Sequence, residues 1–99
     1  YYGGGENSLT LTAAAGADNT HSVVTISGNT AGGDLVYKGD FANATAAGDA
    51  IDIGDDVSGW TAFPSNGVVT TASGKYIAVA VKVDGKCVAG GVVAAAVGS

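Results

Sequence analysis

Tyr76-Ile77-Ala78-Val79-Ala80-Val81-Lys82-Val83 alternates without a break, setting Ile77, Val79, Val81 and Val83 on one face and Tyr76, Ala78, Ala80 and Lys82 on the other. A two-residue period is that of a β-strand. Asp84-Gly85 follows at once, and Asp-Gly between apolar runs predicts a tight hairpin, because a type I′ turn needs positive φ at both central residues. A two-residue loop then sets the register, with Val83 opposite Lys86, Val81 opposite Val88, Val79 opposite Gly90 and Ile77 opposite Val92. Gly90-Gly91 predicts a bulge or a close backbone approach in the return strand. Val92 to Val97 reads as its continuation, buried on both faces, with a short helix over Ala94-Ala95-Ala96 as the alternative.

The same alternation recurs upstream in shorter pieces. Leu9 and Leu11 oppose Thr10 and Thr12 between Ser8 and Ala14, and Val24 and Ile26 oppose Val23 and Thr25 between Ser22 and Ser27. Leu35-Val36-Tyr37 and Ala50-Ile51-Asp52-Ile53 give two further candidate strands, separated by Lys38-Gly39-Asp40 and the small-residue tract Ala42 to Gly48. Asn66-Gly67 between Trp60-Thr61-Ala62-Phe63 and Val68-Val69-Thr70-Thr71 predicts a meander, with Ser73-Gly74-Lys75 turning into the long hairpin. About seven or eight short strands with regular turns read as an all-β antiparallel sandwich or barrel with a C-terminal hairpin. Residues 8–99 are assigned to that single β domain. Residues 1–7 are set apart as an N-terminal arm, because Gly3-Gly4-Gly5 makes a flexible joint and Tyr1 and Tyr2 beyond it are free to dock elsewhere.

Composition strengthens the strand reading. Val, Ile and Thr together number 26 of the 99 residues, against one Glu and no Met, and β-branched side chains suit a pleated surface better than a helix. Charge adds a different message. The chain has four Lys, no Arg and nine acids, for a net charge of −5. Nucleic acid is not expected as a partner, since binding to phosphates relies on clustered cations. No membrane is expected either: the longest apolar tract, Val88 to Val97, is interrupted by Gly90 and Gly91 and falls short of the ~20 residues of a spanning helix. Charged residues make up only 13% of the chain, too few to cover a freely diffusing monomer, so uncharged faces are expected to pack against copies of the chain or a larger partner.

No motif points to catalysis. His21 stands beside Thr20 and Ser22 with Asp18 nearby, which allows a Ser-His-Asp arrangement on paper, yet no nucleophile elbow, phosphate loop or dinucleotide fingerprint accompanies it. No enzyme and no cofactor are expected. The acidic segment Asp49 to Asp56 matches no calcium loop and reads as a solvated loop guarding a sheet edge. Cys87, the one cysteine, reads as a small buried hydrophobe. Trp60 and Phe63 are expected to fill a core otherwise made of Ala and Val.

Gly32-Gly33-Asp34-Leu35-Val36-Tyr37, the Gly48-Asp49 turn opening Ala50-Ile51, and the alternating C-terminal hairpin together resemble the small head decoration, or cement, proteins of tailed bacteriophages. The likeness departs at Lys75-Tyr76-Ile77-Ala78-Val79-Ala80, where many of those proteins carry a Gly-Val-Ala-like run. The resemblance implies a small β-rich domain that oligomerises, often as a trimer, and clamps major capsid protein or other shell subunits at the virion surface. The expected function is therefore a non-enzymatic structural one, with Tyr1, Tyr2, Gly3, Gly4 and Gly5 as the interface residues and Asp84 and Gly85 as the hairpin turn. A pilin-like or fibre subunit of an extracellular filament, in which Tyr1 to Thr12 adds a strand to a neighbour, is the alternative within the same class. A carbohydrate-binding module using Trp60 and Tyr37 is the alternative from another class.

Overall fold

In a computed structural model that describes residues 9–27, 33–52 and 54–98, the alternating segments form seven strands and one short helix. They are β1 (Thr10–Ala15), β2 (His21–Ser27), β3 (Asp34–Phe41), α1 (Ala44–Asp49), β4 (Thr61–Ala62), β5 (Val68–Thr70), β6 (Tyr76–Val83) and β7 (Lys86–Ala94). The strands build two antiparallel sheets, β1-β2-β5 and β4-β3-β6-β7. The result is a sandwich-like all-β fold and not a closed barrel.

Between the sheets lies the first core. Leu9, Val24 and Val69 meet Ile77, Val79, Val81 and Ala89, with Leu11, Ala13, Ile26 and Phe63 at its margin. These are the larger residues of each alternating run, which is why period two is so visible in them. The second face of the four-stranded sheet is also covered. There Val36, Ala78, Ala80 and Cys87 pack under Ala47, Ile51 and Val57. Every residue from Ile77 to Val81 is therefore fully buried, and β6 is a central strand with a core on each side.

That second layer explains the small residues. Ala80 pairs with Gly90, and a Cβ added to Gly90 would lie 2.8 Å from Ile51 Cδ1. The hollow left by Ala80 and Gly90 is thus the seat of Ile51. On the opposite face a Cβ at Gly91 would lie 2.5 Å from the Leu9 carbonyl oxygen, and the Leu9 N–H donates to Gly90 O at 2.8 Å. The close approach expected at Gly90-Gly91 is present on both faces.

Several expectations are corrected. The bulge lies two residues before the glycines: Lys82 pairs with Cys87 but Val81 with Ala89, so Val88 is the extra residue, and Ile77 faces Val93 instead of Val92. Ala50-Ile51-Asp52 is not a strand. The preceding small residues form α1, capped by Asn43, whose Oδ1 accepts the Ala46 N–H at 2.7 Å; Ala is the strongest helix former, and an Asn cap supplies the start. The chain then turns inward at Ile51, while Ile53 lies outside the described residues. Nor do β4 and β5 form a meander. β4 joins β3 in one sheet and β5 joins β2 in the other, so Pro64 to Gly67 carries the chain across the sandwich. β7 ends at Ala94, and Ala95 to Gly98 continues without strand or helix.

Candidate functional site

The hairpin turn has the geometry that its dipeptide demands. Asp84 has φ 54° and Gly85 φ 79°, and Val83 and Lys86 face each other across it. Its role is structural: the Gly85 carbonyl accepts the Val57 N–H at 3.0 Å, tying the turn to the covering loop. Tyr1, Tyr2, Gly3, Gly4 and Gly5, expected as interface residues, lie outside the described residues.

His21 does not assemble a hydrolytic triad. Neighbouring strand residues point to opposite faces, so Ser22 is buried and donates its hydroxyl to Ala96 O while accepting the Ala96 N–H at 3.0 Å. His21 instead turns outward to Asp18, with Nδ1 2.8 Å from Oδ1. The same oxygen accepts the Thr20 hydroxyl at 2.6 Å and the Thr20 N–H at 2.9 Å. These hydrogen bonds, the Thr20 hydroxyl first, hold the Asp18 carboxyl well below the usual carboxylate range. The group is an exposed turn clasp in which the Thr20 hydroxyl and Asp18 Oδ1 both meet the same ring nitrogen, Nδ1, at 2.9 and 2.8 Å.

The acidic segment is spent on local turns. Asp55 Oδ2 accepts the Asp52 N–H at 3.1 Å, and Asp56 Oδ1 accepts the Ser58 hydroxyl at 2.7 Å and the Ser58 N–H at 3.0 Å. The hydroxyl bond is the main reason the Asp56 carboxyl also sits below its ordinary range. Among the described residues no three His, Cys, Asp or Glu side chains are grouped to hold a metal ion. Cys87 is fully buried, and burial pushes its thiol up from the ordinary range.

Two surface features remain. The first is the outward face of β1-β2-β5. Thr10, Thr12 and Ala14 of β1, His21, Val23, Thr25 and Ser27 of β2, and Val68 and Thr70 of β5 alternate with the core residues and line this face. None carries a fixed charge. Among the described residues this sheet and its connections between β1 and β2 hold Asp18 alone, whereas all other charged residues lie on the four-stranded sheet, α1 or their flanking segments. The uncharged character extends over residues 57–74, which include β4, β5 and the crossing between them.

The second is a cleft of about 450 Å³ where the irregular end of β3 meets the start of β4 and the segment after β5. Tyr37, Trp60, Lys38, Lys75, Asp40 and Thr61 are among its lining residues. β3 is held there by two bonds: Thr71 donates its hydroxyl to Gly39 O at 2.7 Å, and the Thr70 N–H donates to Tyr37 Oη at 3.3 Å. Trp60 is half-buried and leans on Phe41 with ring centroids 6.1 Å apart, and Lys38 Nζ lies 5.5 Å from the Phe41 centroid. Trp60 therefore borders the second core without being sealed in it, a partial correction to the expectation that it fills the middle. The sequence reading named Tyr37 and Trp60 but missed Lys38, Asp40 and Lys75. Lys38 and Asp40 come from β3 and Lys75 from the segment before β6, and only the tertiary fold brings these two segments to Trp60.

No family model, no curated protein and no solved structure matches this chain.

Proposed function

We propose that this chain is a non-enzymatic structural protein that sits on a larger protein assembly, as a decoration or cement subunit on a viral capsid shell, with copies of itself and a major shell subunit as its partners. The observation that carries the reading is the separation of charge between the two layers: one sheet presents Thr, Ser, Ala and Val outward with Asp18 at its turn, and the other side holds the remaining charges. An uncharged face loses little on desolvation, and depletion of charge is the mark of an interface centre. A charged opposite side suits the surface left facing solvent.

Size sets the mode of attachment. Strands of six, seven and three residues give a face of roughly 250 Å² from strand rise and spacing, below the ~800 Å² per partner of a standard interface. The contact must spread onto the uncharged crossing over residues 63–67, which borders β2 at Val23 to Ile26, and repetition over a lattice supplies the rest through avidity. The test places charge in the face. Thr12→Lys with Val68→Lys, both at exposed positions, should leave the far-UV spectrum and denaturation midpoint near wild type, since exposed substitutions usually stay within about 0.5 kcal/mol. Sedimentation at tens of micromolar should show oligomers for the wild type and monomers for the variant. A wild type that stays monomeric up to its solubility limit, or a variant that associates equally well, overturns the proposal.

A further inference from the structure

We propose that the cleft between the end of β3, Trp60 and Lys75 is a binding site for an anionic saccharide, a sugar ring carrying carboxylate or sulfate. This goes beyond the assembly reading and does not depend on it. The chain has four cations in all, and two of them, Lys38 and Lys75, line this one cleft from different elements. With Asp40 also in the lining, the cleft carries one net positive charge in a chain of net charge −5, which favours an anionic group over a neutral one. Lys38 is held in place by lying over Phe41, which in turn leans on Trp60, so the ammonium and the aromatic pair form one unit.

The remaining lining selects a sugar over a bare ion. The cleft, about 450 Å³, falls in the ~300–1,000 Å³ range of small-molecule sites, far more room than a single sulfate fills. Half-buried Trp60 offers apolar surface for the C–H groups of a pyranose ring, while Tyr37, whose ring meets Phe63 edge-on with centroids 6.2 Å apart, lines the cleft from the inter-sheet core. Around them stand hydroxyl partners: Asp40 accepts, Thr61 donates or accepts, and Tyr37 Oη, which already accepts the Thr70 N–H, keeps its own hydrogen to donate. Aromatic surface, two ammonium groups and a carboxylate acceptor around one cleft match the mixed faces of an acidic sugar.

Trp60 is the only tryptophan, so its emission reports directly on the cleft. The intact chain is titrated separately with a galacturonic acid tetramer, a heparin tetrasaccharide, cellotetraose and sodium sulfate. A saturable change with the galacturonate or the heparin fragment is expected, and which of the two binds more tightly identifies carboxylate or sulfate. Lys75→Ala, at an exposed position, should weaken that binding by about 2- to 5-fold, the effect of one solvent-exposed charge pair. Cellotetraose should be weaker by a similar factor. The proposal is overturned if neither acidic sugar changes the emission, if cellotetraose binds equally, if sodium sulfate alone reproduces the change at the same concentration, or if Lys75→Ala binds as wild type. Lys75→Ala should associate normally and Thr12→Lys with Val68→Lys should bind sugar normally, so failure of one reading is distinct from failure of the other.

Discussion

Asp18 shows how a single exposed side chain can organise a turn. Its carboxylate accepts from Thr20 twice and contacts His21, and its depressed pKa means the folded state favours the charged form. The contribution is present above the ordinary carboxylate pKa of 3.8 and is lost as pH falls through the lower folded-state value. Asp18→Asn should thus lower the denaturation midpoint at pH 7, with the gap to wild type closing as pH is brought below 3.8; a gap constant with pH would count against the clasp. At two glycines the backbone itself is the constraint. Gly85, at φ 79°, should cost about 1–3 kcal/mol when replaced by Val, because a β-branched residue resists positive φ. Gly91→Ala places a methyl 2.5 Å from Leu9 O, and the backbone shift it forces should cost about 1–3 kcal/mol by urea denaturation. The first of these was legible in the Asp-Gly dipeptide, whereas the second required knowing that Leu9 passes over the strand.

At the scale of elements, β6 differs most from its alternating pattern. The period assigns Ile77, Val79 and Val81 inward and Ala78 and Ala80 outward, yet both sets are fully buried. Alternation reports side-chain size on two faces and not which face meets water. The covering layer is α1 with Ile51 and Val57, and its sequence misled because Ala50-Ile51-Asp52 alternates like a strand across too few residues for period to decide. Ile51→Ala should cost about 2–5 kcal/mol, the range for emptying a fully buried aliphatic site, and should do so without loss of strand signal, since Ile51 lies in no sheet. A cost below 1 kcal/mol, on the order of an exposed substitution, would show the helix layer to be loosely attached. The bulge at Val88 was equally hidden: its register shift follows from how the 54–57 segment bonds to Cys87 and Gly85, a partner distant in the chain.

For the whole molecule, the low charge content first suggested surfaces buried between chains, and the fold divides that reading. Part of the Ala and Gly richness serves contact between layers inside the molecule, as at Ala80, Gly90 and Ile51. Under the proposed assembly, the face left for partners is the Thr, Ser and Val face of the three-stranded sheet. Association through it should be nearly independent of ionic strength between 20 mM and 500 mM salt, a span over which the Debye length falls from about 20 Å to about 4 Å. Sugar binding in the lysine-lined cleft should weaken over the same span. Sedimentation and fluorescence measured in parallel separate the two, and association that collapses in high salt would place the contact on the charged side instead.

The sequence by itself determined the strand class, the C-terminal hairpin with its Asp84-Gly85 turn, and the strands β1, β2 and β3 to within a few residues, because period, β-branching and turn chemistry are local properties. Tertiary structure decided the rest: which sheet β4 and β5 join, that β6 has a core on each side, and that Lys38, Asp40, Trp60 and Lys75 meet in one cleft. Those outcomes depend on where segments far apart in the chain are carried by the crossing at Pro64 to Gly67 and by the inward turn at Ile51. Local patterning states what each face of a strand prefers, and packing alone selects the partner that satisfies it.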